Sequence, residues 1–189
     1  MKSKSFKALS PVIVSLLLVS TGCFVGKKVF EDSNKPAKVV TSTDGISQIS
    51  VPGNWSVDSE LKKDAELQVS DRPEEMYVIV LSESKSDFAA NVTLDNHAEL
   101  TRGIVVGNLT SPQSTAPVKM TINGRQAVQN EIRGTMNNVN LVYIHTTVET
   151  PKYFHQIVAW TLPSRFDKNR AKLQEVIQSF KETGSGSGR

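Results

Sequence analysis

A single cysteine, Cys23, stands in the 189 residues. An internal disulfide is therefore excluded, and stability must come from a packed core. About 140 residues of folded chain are enough to build one. No apolar run reaches the roughly 20 residues that a membrane span needs. The stretch from Leu9 to Val19 falls short and contains Pro11. Charge of one sign is barely in excess: 22 basic residues stand against 19 acidic ones. The surplus is Lys2, Lys4 and Lys7, so from Cys23 onward the chain carries 19 of each. The isoelectric point near 9.0 belongs largely to the first residues. No basic cluster follows residue 38, which argues against a nucleic-acid partner. Also missing are a G-x-S-x-G nucleophile elbow, an H-E-x-x-H helix, a phosphate-binding loop and a dinucleotide fingerprint. Their absence takes the common hydrolase and nucleotide classes out of the front rank. There are no internal repeats.

The start of the chain reads as a targeting device. Three lysines precede a short apolar core, and Ser20-Thr21-Gly22 lead directly to Cys23. This pattern resembles a bacterial lipoprotein signal, although Ser20 stands where that family usually has Leu. The resemblance implies cleavage after Gly22, diacylglycerol on the Cys23 sulfur and attachment to a membrane. The alternative is an ordinary secretory signal with an incidental cysteine. Phe24 rather than Asp follows Cys23, which implies the outer membrane facing the periplasm if the source is Gram-negative. Residues 1–22 are thus expected as signal peptide, and 23–42 as lipidated cysteine and flexible tether. The domain is expected over 43–182, with a flexible tail at 183–189.

Within the domain, Ile49 and Val51 alternate with polar residues as in a strand, and Pro52-Gly53-Asn54 punctuates it before Trp55, a core plug. Strands are expected at Glu66–Ser70 and Met76–Leu81, the second so continuously apolar that burial on both faces is implied. Thr93 reads as the N-cap of a helix carrying Leu94, Ala98, Thr101 and Val105. Pro112 and Pro117 bound a loop. Asn123-Gly124 is a type I′ hairpin signal between Val118–Ile122 and a return strand over Arg125–Arg133. Gly134 to Asn138 reads as a further turn. Asn140–Val148 and Tyr153–Leu162 are the clearest strands. Their even positions, from Val142 to Leu162, line up as one apolar face. A closing helix with Ser164 as N-cap and Asp167 three residues on carries Phe166, Leu173, Val176, Ile177 and Phe180 in one stripe.

The run Asp44-Gly45 through Val51-Pro52-Gly53-Asn54-Trp55, then Ile122-Asn123-Gly124-Arg125-Gln126-Ala127, then Leu162-Pro163-Ser164-Arg165-Phe166 to Ile177-Gln178-Ser179-Phe180-Lys181 resembles the PsbP-like fold family of small bacterial lipoproteins, the DcrB-like ones included. The resemblance spans roughly residues 43–182. It implies an α+β domain in which an antiparallel β-sheet is flanked by helices on both faces, an α/β/α sandwich. It also implies a non-catalytic accessory or binding role through an envelope protein, with no cofactor. PsbP itself supports photosystem II, a function the fold alone does not carry.

Chemistry is otherwise confined to three histidines. His145 and His155 both occupy odd positions on neighbouring strands, so they are expected to face one side of the sheet. Two imidazoles there could hold zinc or copper if a third ligand joined, with Glu149 and Glu131 as candidates. The competing expectation is a structural pair stacked on Tyr143 and Tyr153. His97 is expected at the helix surface. Asn54, Asn91 and Asn108 match the N-glycosylation pattern by chance, given the bacterial signal, and the charged turn Asp71-Arg72-Pro73-Glu74-Glu75 reads as a solvated loop.

Overall fold

The structure, a computed structural model, describes residues 35–183. Its elements in chain order are β1 (Lys38–Thr41), β2 (Ser47–Val51), β3 (Ser56–Val57), β4 (Leu67–Asp71), β5 (Met76–Ser84), α1 (Leu94–Gly107), β6 (Thr110–Ser114), β7 (Val118–Ile122), β8 (Arg125–Met136), β9 (Val139–Glu149), β10 (Tyr153–Thr161), α2 (Phe166–Gln178) and β11 (Lys181–Glu182). The larger sheet has the order β3-β4-β5-β10-β9-β8-β6, with β7 also pairing on β8, and the smaller has the order β1-β2-β11. Every pairing among these strands is antiparallel.

Local chemistry accounts for the tight turns. Asn123 and Gly124 take φ values of 47° and 78°, the left-handed pair that a two-residue turn between β7 and β8 demands. Asn137 and Asn138, at 51° and 65°, do the same between β8 and β9. The second turn is therefore only those two residues: β8 runs through Gly134 to Met136. Thr93 caps α1 and exchanges hydrogen bonds with Asn96, a capping box with an amide in place of the usual acid. At α2 the expected cap is absent. A 3-10 turn over Pro163–Arg165 runs into the helix, whose N-cap position is Arg165 with no side-chain bond.

Two stretches expected to be irregular are strands. Residues 38–41, assigned to the tether, pair with β2. Pro112 lies inside β6, where the register slips between Thr110 and Gln113. An edge strand tolerates a proline because its missing N–H has no ladder partner to serve.

The parity of the β9–β10 pair sets the core. Glu149 pairs with Phe154, so the connection is four residues, and every odd residue of β9 faces an even residue of β10. The apolar face expected from the even positions alone is therefore split between two clusters. In one, Val142, Ile144, Val148 and Ile157 pack with Ile49, Val51, Trp55 and with Phe166, Leu173, Val176 and Ile177 of α2. In the other direction, Tyr143, Val158 and Trp160 pack with Val105 of α1, and Val128 and Phe154 pack with its Leu94 and Ala98. β5 is buried at Met76 and from Val78 to Ser82, with Tyr77 half-buried between them, in keeping with its unbroken apolar run. No described helix is long and apolar enough to cross a membrane.

Candidate functional site

Cys23 and the signal segment lie outside the described residues. The described chain begins at Lys35 and passes at once against the β2–β3 turn. A Cβ added to Gly53 would lie 2.5 Å from the Pro36 carbonyl oxygen, so this close approach requires glycine. Lys38 then donates from Nζ to the Trp55 carbonyl.

The histidines are not arranged as expected. His145 stands opposite Val158 and His155 opposite Val148. Residues directly opposite share a face, so the two imidazoles point to opposite sides of the sheet and cannot converge on one ion. The same-face reading fails because Glu149 pairs with Phe154, so odd residues of β9 share a face with even residues of β10, and a one-residue change of register inverts every side chain of a strand. The two carboxylates considered as third ligands are engaged elsewhere: Glu149 by Lys85 and Glu131 by Arg170. Among the described residues no three histidine, cysteine or acidic side chains are grouped to hold a metal.

His155 is fully buried in the α2-side core. Its Nδ1 is 2.9 Å from Ser82 Oγ, and its ring lies 4.9 Å from that of Phe180. Burial pulls its pKa down to about 4, against the weaker opposing pull of Glu182. His145 is fully buried on the other side, and neither ring nitrogen has a hydrogen-bond partner. Burial again pulls the pKa down to about 4. Gln156, diagonal to it on β10, favours the charged form, while His97 and Arg102 oppose it. His97 is not at the surface of α1. It is wholly buried, with Nε2 2.9 Å from Glu83 Oε2 and its ring stacked on Phe154 at 4.4 Å.

These residues form a polar band beneath α1. Asn130 lies directly opposite His145, and Thr147 opposite Gln156, all on the His145 side. Gln156 Nε2 donates to Glu83 Oε2 at 2.7 Å, the oxygen that also receives His97. An imidazole–carboxylate pair is one part of acid–base machinery. Here it is wedged against the Phe88 and Phe154 rings, and its second nitrogen meets no polar group. The sequence carries one signal of this band, the period-two spacing of His145 and Thr147 in the run Ile144-His145-Thr146-Thr147-Val148. Gln156 and Glu83 join it only through the pairing of β10 with β9 and β5.

A second polar cluster lines a recess of about 450 Å³ beside β3 and β4. Asp58 accepts from Arg72 Nε at 2.7 Å and from Ser70 Oγ at 2.7 Å, and Arg72 Nη2 reaches its other oxygen at 2.8 Å. The Arg72 guanidinium holds the Asp58 carboxyl below the usual range. A carboxylate so paired is a poor proton acceptor, and the cluster works as a clamp between the β3 strand and the turn after β4. The turn at Asp71–Glu75 is correspondingly tied down. Asp71 accepts from Asn54 Nδ2, and Glu74 from Arg165 and Lys168.

The arrangement of sheets and helices matches known structures. Cyanobacterial PsbP (CyanoP) from Synechocystis sp. PCC 6803 superposes with a TM-score of 0.59 at 14% identity, over 88% of this chain and 99% of that one. LpqN of Mycobacterium tuberculosis, involved in cell envelope biogenesis, superposes at 0.57 with 14% identity, over 79% and 87%. A Pseudomonas aeruginosa protein of unknown function, a putative regulator, gives 0.52 at 8% identity, over 79% and 99%. No family profile and no curated protein sequence matches. The chain is an α+β protein with the PsbP-like fold. At these identities the likeness establishes the fold and leaves function to the site.

Proposed function

We propose that this chain is a lipid-anchored accessory or binding protein of the cell envelope, non-catalytic, acting through a protein partner. The observation that carries the reading is the segment from Lys2 to Cys23, which has the form of a lipoprotein signal and precedes a PsbP-like domain. Support comes from the structural likeness to LpqN, a protein of envelope biogenesis. The polar clusters support it too: Asp58–Arg72 is internally satisfied, and His97–Glu83 is sealed among rings. The contacts of α1 and α2 favour the α/β/α layering of the DcrB-like lipoproteins. Physically, a lipid and a short tether hold the domain close to a bilayer and raise its effective concentration toward membrane partners.

The test is metabolic fatty-acid labelling with membrane fractionation, followed by crosslinking in intact cells. The wild type labels, sediments with membranes and crosslinks to an envelope protein. Cys23→Ala loses the label and the membrane association. Labelling that persists in Cys23→Ala overturns the anchor, and a wild type that crosslinks to nothing in the envelope overturns the partner role.

A further inference from the structure

Helices usually seal a sheet through apolar contact, and α1 departs from that rule. Its apolar anchors are Leu94 and Ala98 toward one end and Val105 toward the other. Between them the sheet presents Asn130, His145, Thr147 and Gln156, each 3% exposed or less. Both nitrogens of His145 lack a hydrogen-bond partner, as do Thr147 Oγ1, Gln156 Oε1 and His97 Nδ1. Buried polar atoms without partners are few in native proteins, and here five lie under one helix. By contrast α2 is held by Phe166, Leu173, Val176 and Ile177, all in one continuous apolar cluster.

We propose that this band is a proton-operated release: protonation of His145 frees α1 from the sheet while the α2 side of the domain stays folded.

Burial outweighs the single neighbour, Gln156, that favours a charge on His145. On β8 it faces Asn130 and on β10 Val158, with Gln156 diagonal to it and Thr147 two residues along. From α1 the groups that act on it are His97 and Arg102, and both oppose a positive charge there. Arg102 is held by Glu99 on the exposed side of the helix. Glu83, the carboxylate of the band, already receives His97 and Gln156. A charged imidazole is accommodated only when water enters, and the interface that must part to admit it is the one under α1. In the closed form the ring stays neutral down to about pH 4, whereas a hydrated histidine titrates near 6.5. Across that interval the open form takes up a proton that the closed form does not. By linkage, the open population rises roughly twentyfold from pH 7 to pH 5. The effect needs no ligand and does not depend on the anchor.

Hydrogen exchange on the purified full chain tests this, with rates corrected for intrinsic pH dependence. Between pH 7 and pH 5 the amides of α1 lose about twentyfold in protection, while those of α2, β9 and β10, which exchange only through global unfolding, stay the more strongly protected at both pH values. His145→Gln removes the response of α1, and His155→Gln, on the opposite face, leaves it in place. Protection of α1 equal to that of α2 at pH 5 means that both exchange by global unfolding and overturns the proposal. So does an α1 that stays protected, or a His145→Gln chain that responds like wild type. Should His145→Gln fail to fold, the wild-type ring decides. A His145 resonance that titrates near pH 6.5 with α1 still protected overturns the proposal, and one that titrates in step with α1 opening supports it.

Discussion

Asn123 donates its side-chain amide to the carbonyl of Phe180 at 2.6 Å, and to that of Gln178 at 3.1 Å. One residue thus does two things. Its left-handed backbone makes the β7–β8 turn, and its side chain satisfies carbonyls that the end of α2 leaves without helical partners. The hairpin and the closing helix are tied together at that point.

Asn123→Gly separates the two roles, because glycine keeps the turn and deletes the amide. Two lost hydrogen bonds cost about 1–2 kcal/mol. In a domain of this size that lowers the melting temperature by roughly 3–6 °C. A melting curve of the full chain that matches wild type would show that the latch contributes nothing.

Phe180 should be far more costly to remove. It is 1% exposed and sits in the α2-side cluster beside the His155 ring. Phe180→Ala is expected to cost ~3–5 kcal/mol, or about ten degrees in melting temperature. A loss of only a degree or two would place the ring outside the core.

Acid should weaken the fold through His155 as well as through His145. Each has its pKa lowered to about 4 by burial, from an ordinary value of 6.5. Below 6.5 the unfolded chain binds protons that the folded chain refuses, so stability falls as pH drops from 6.5 toward 4 and is level above that window. A full shift of this size corresponds to about 3 kcal/mol per histidine. Urea unfolding midpoints at pH 7.5 and pH 5 measure it. His155→Gln should shrink the difference between the two, and an unchanged difference would exclude His155 as a source.

Much of the local structure was legible because its causes are local. Two positive φ angles single out Asn123-Gly124, and the residues around Thr93 carry their own cap. The apolar run Met76–Leu81 could only be a strand buried on both sides. Trp55 and the α2 stripe were legible for the same reason, since apolar spacing reports which face meets the core. Ser164 was misassigned as a cap because a 3-10 turn and α2 join without a break.

The histidine sites were not legible. His97, expected at the helix surface, lies beside the buried stripe of Leu94, Ala98 and Thr101 and is enclosed by the Phe88 and Phe154 rings, and Glu83, from a distant strand, meets it there. β1 is a strand only because β2 offers it a free edge.

The sequence by itself determined the composition of this protein, the signal-like segment ending in Cys23, most strands and both helices. Each of these is set within a few residues by spacing, by backbone permissiveness or by the order of charge and apolarity. Only the tertiary structure decided which side chains share a face. Side chains alternate with a period of two, so the four-residue connection from Thr150 to Tyr153 inverts all of β10 relative to β9. That single parity sent His145 under α1 and His155 to the opposite face beside Phe180, because the face on which a residue lies depends on its strand's partner rather than on its neighbours in the chain.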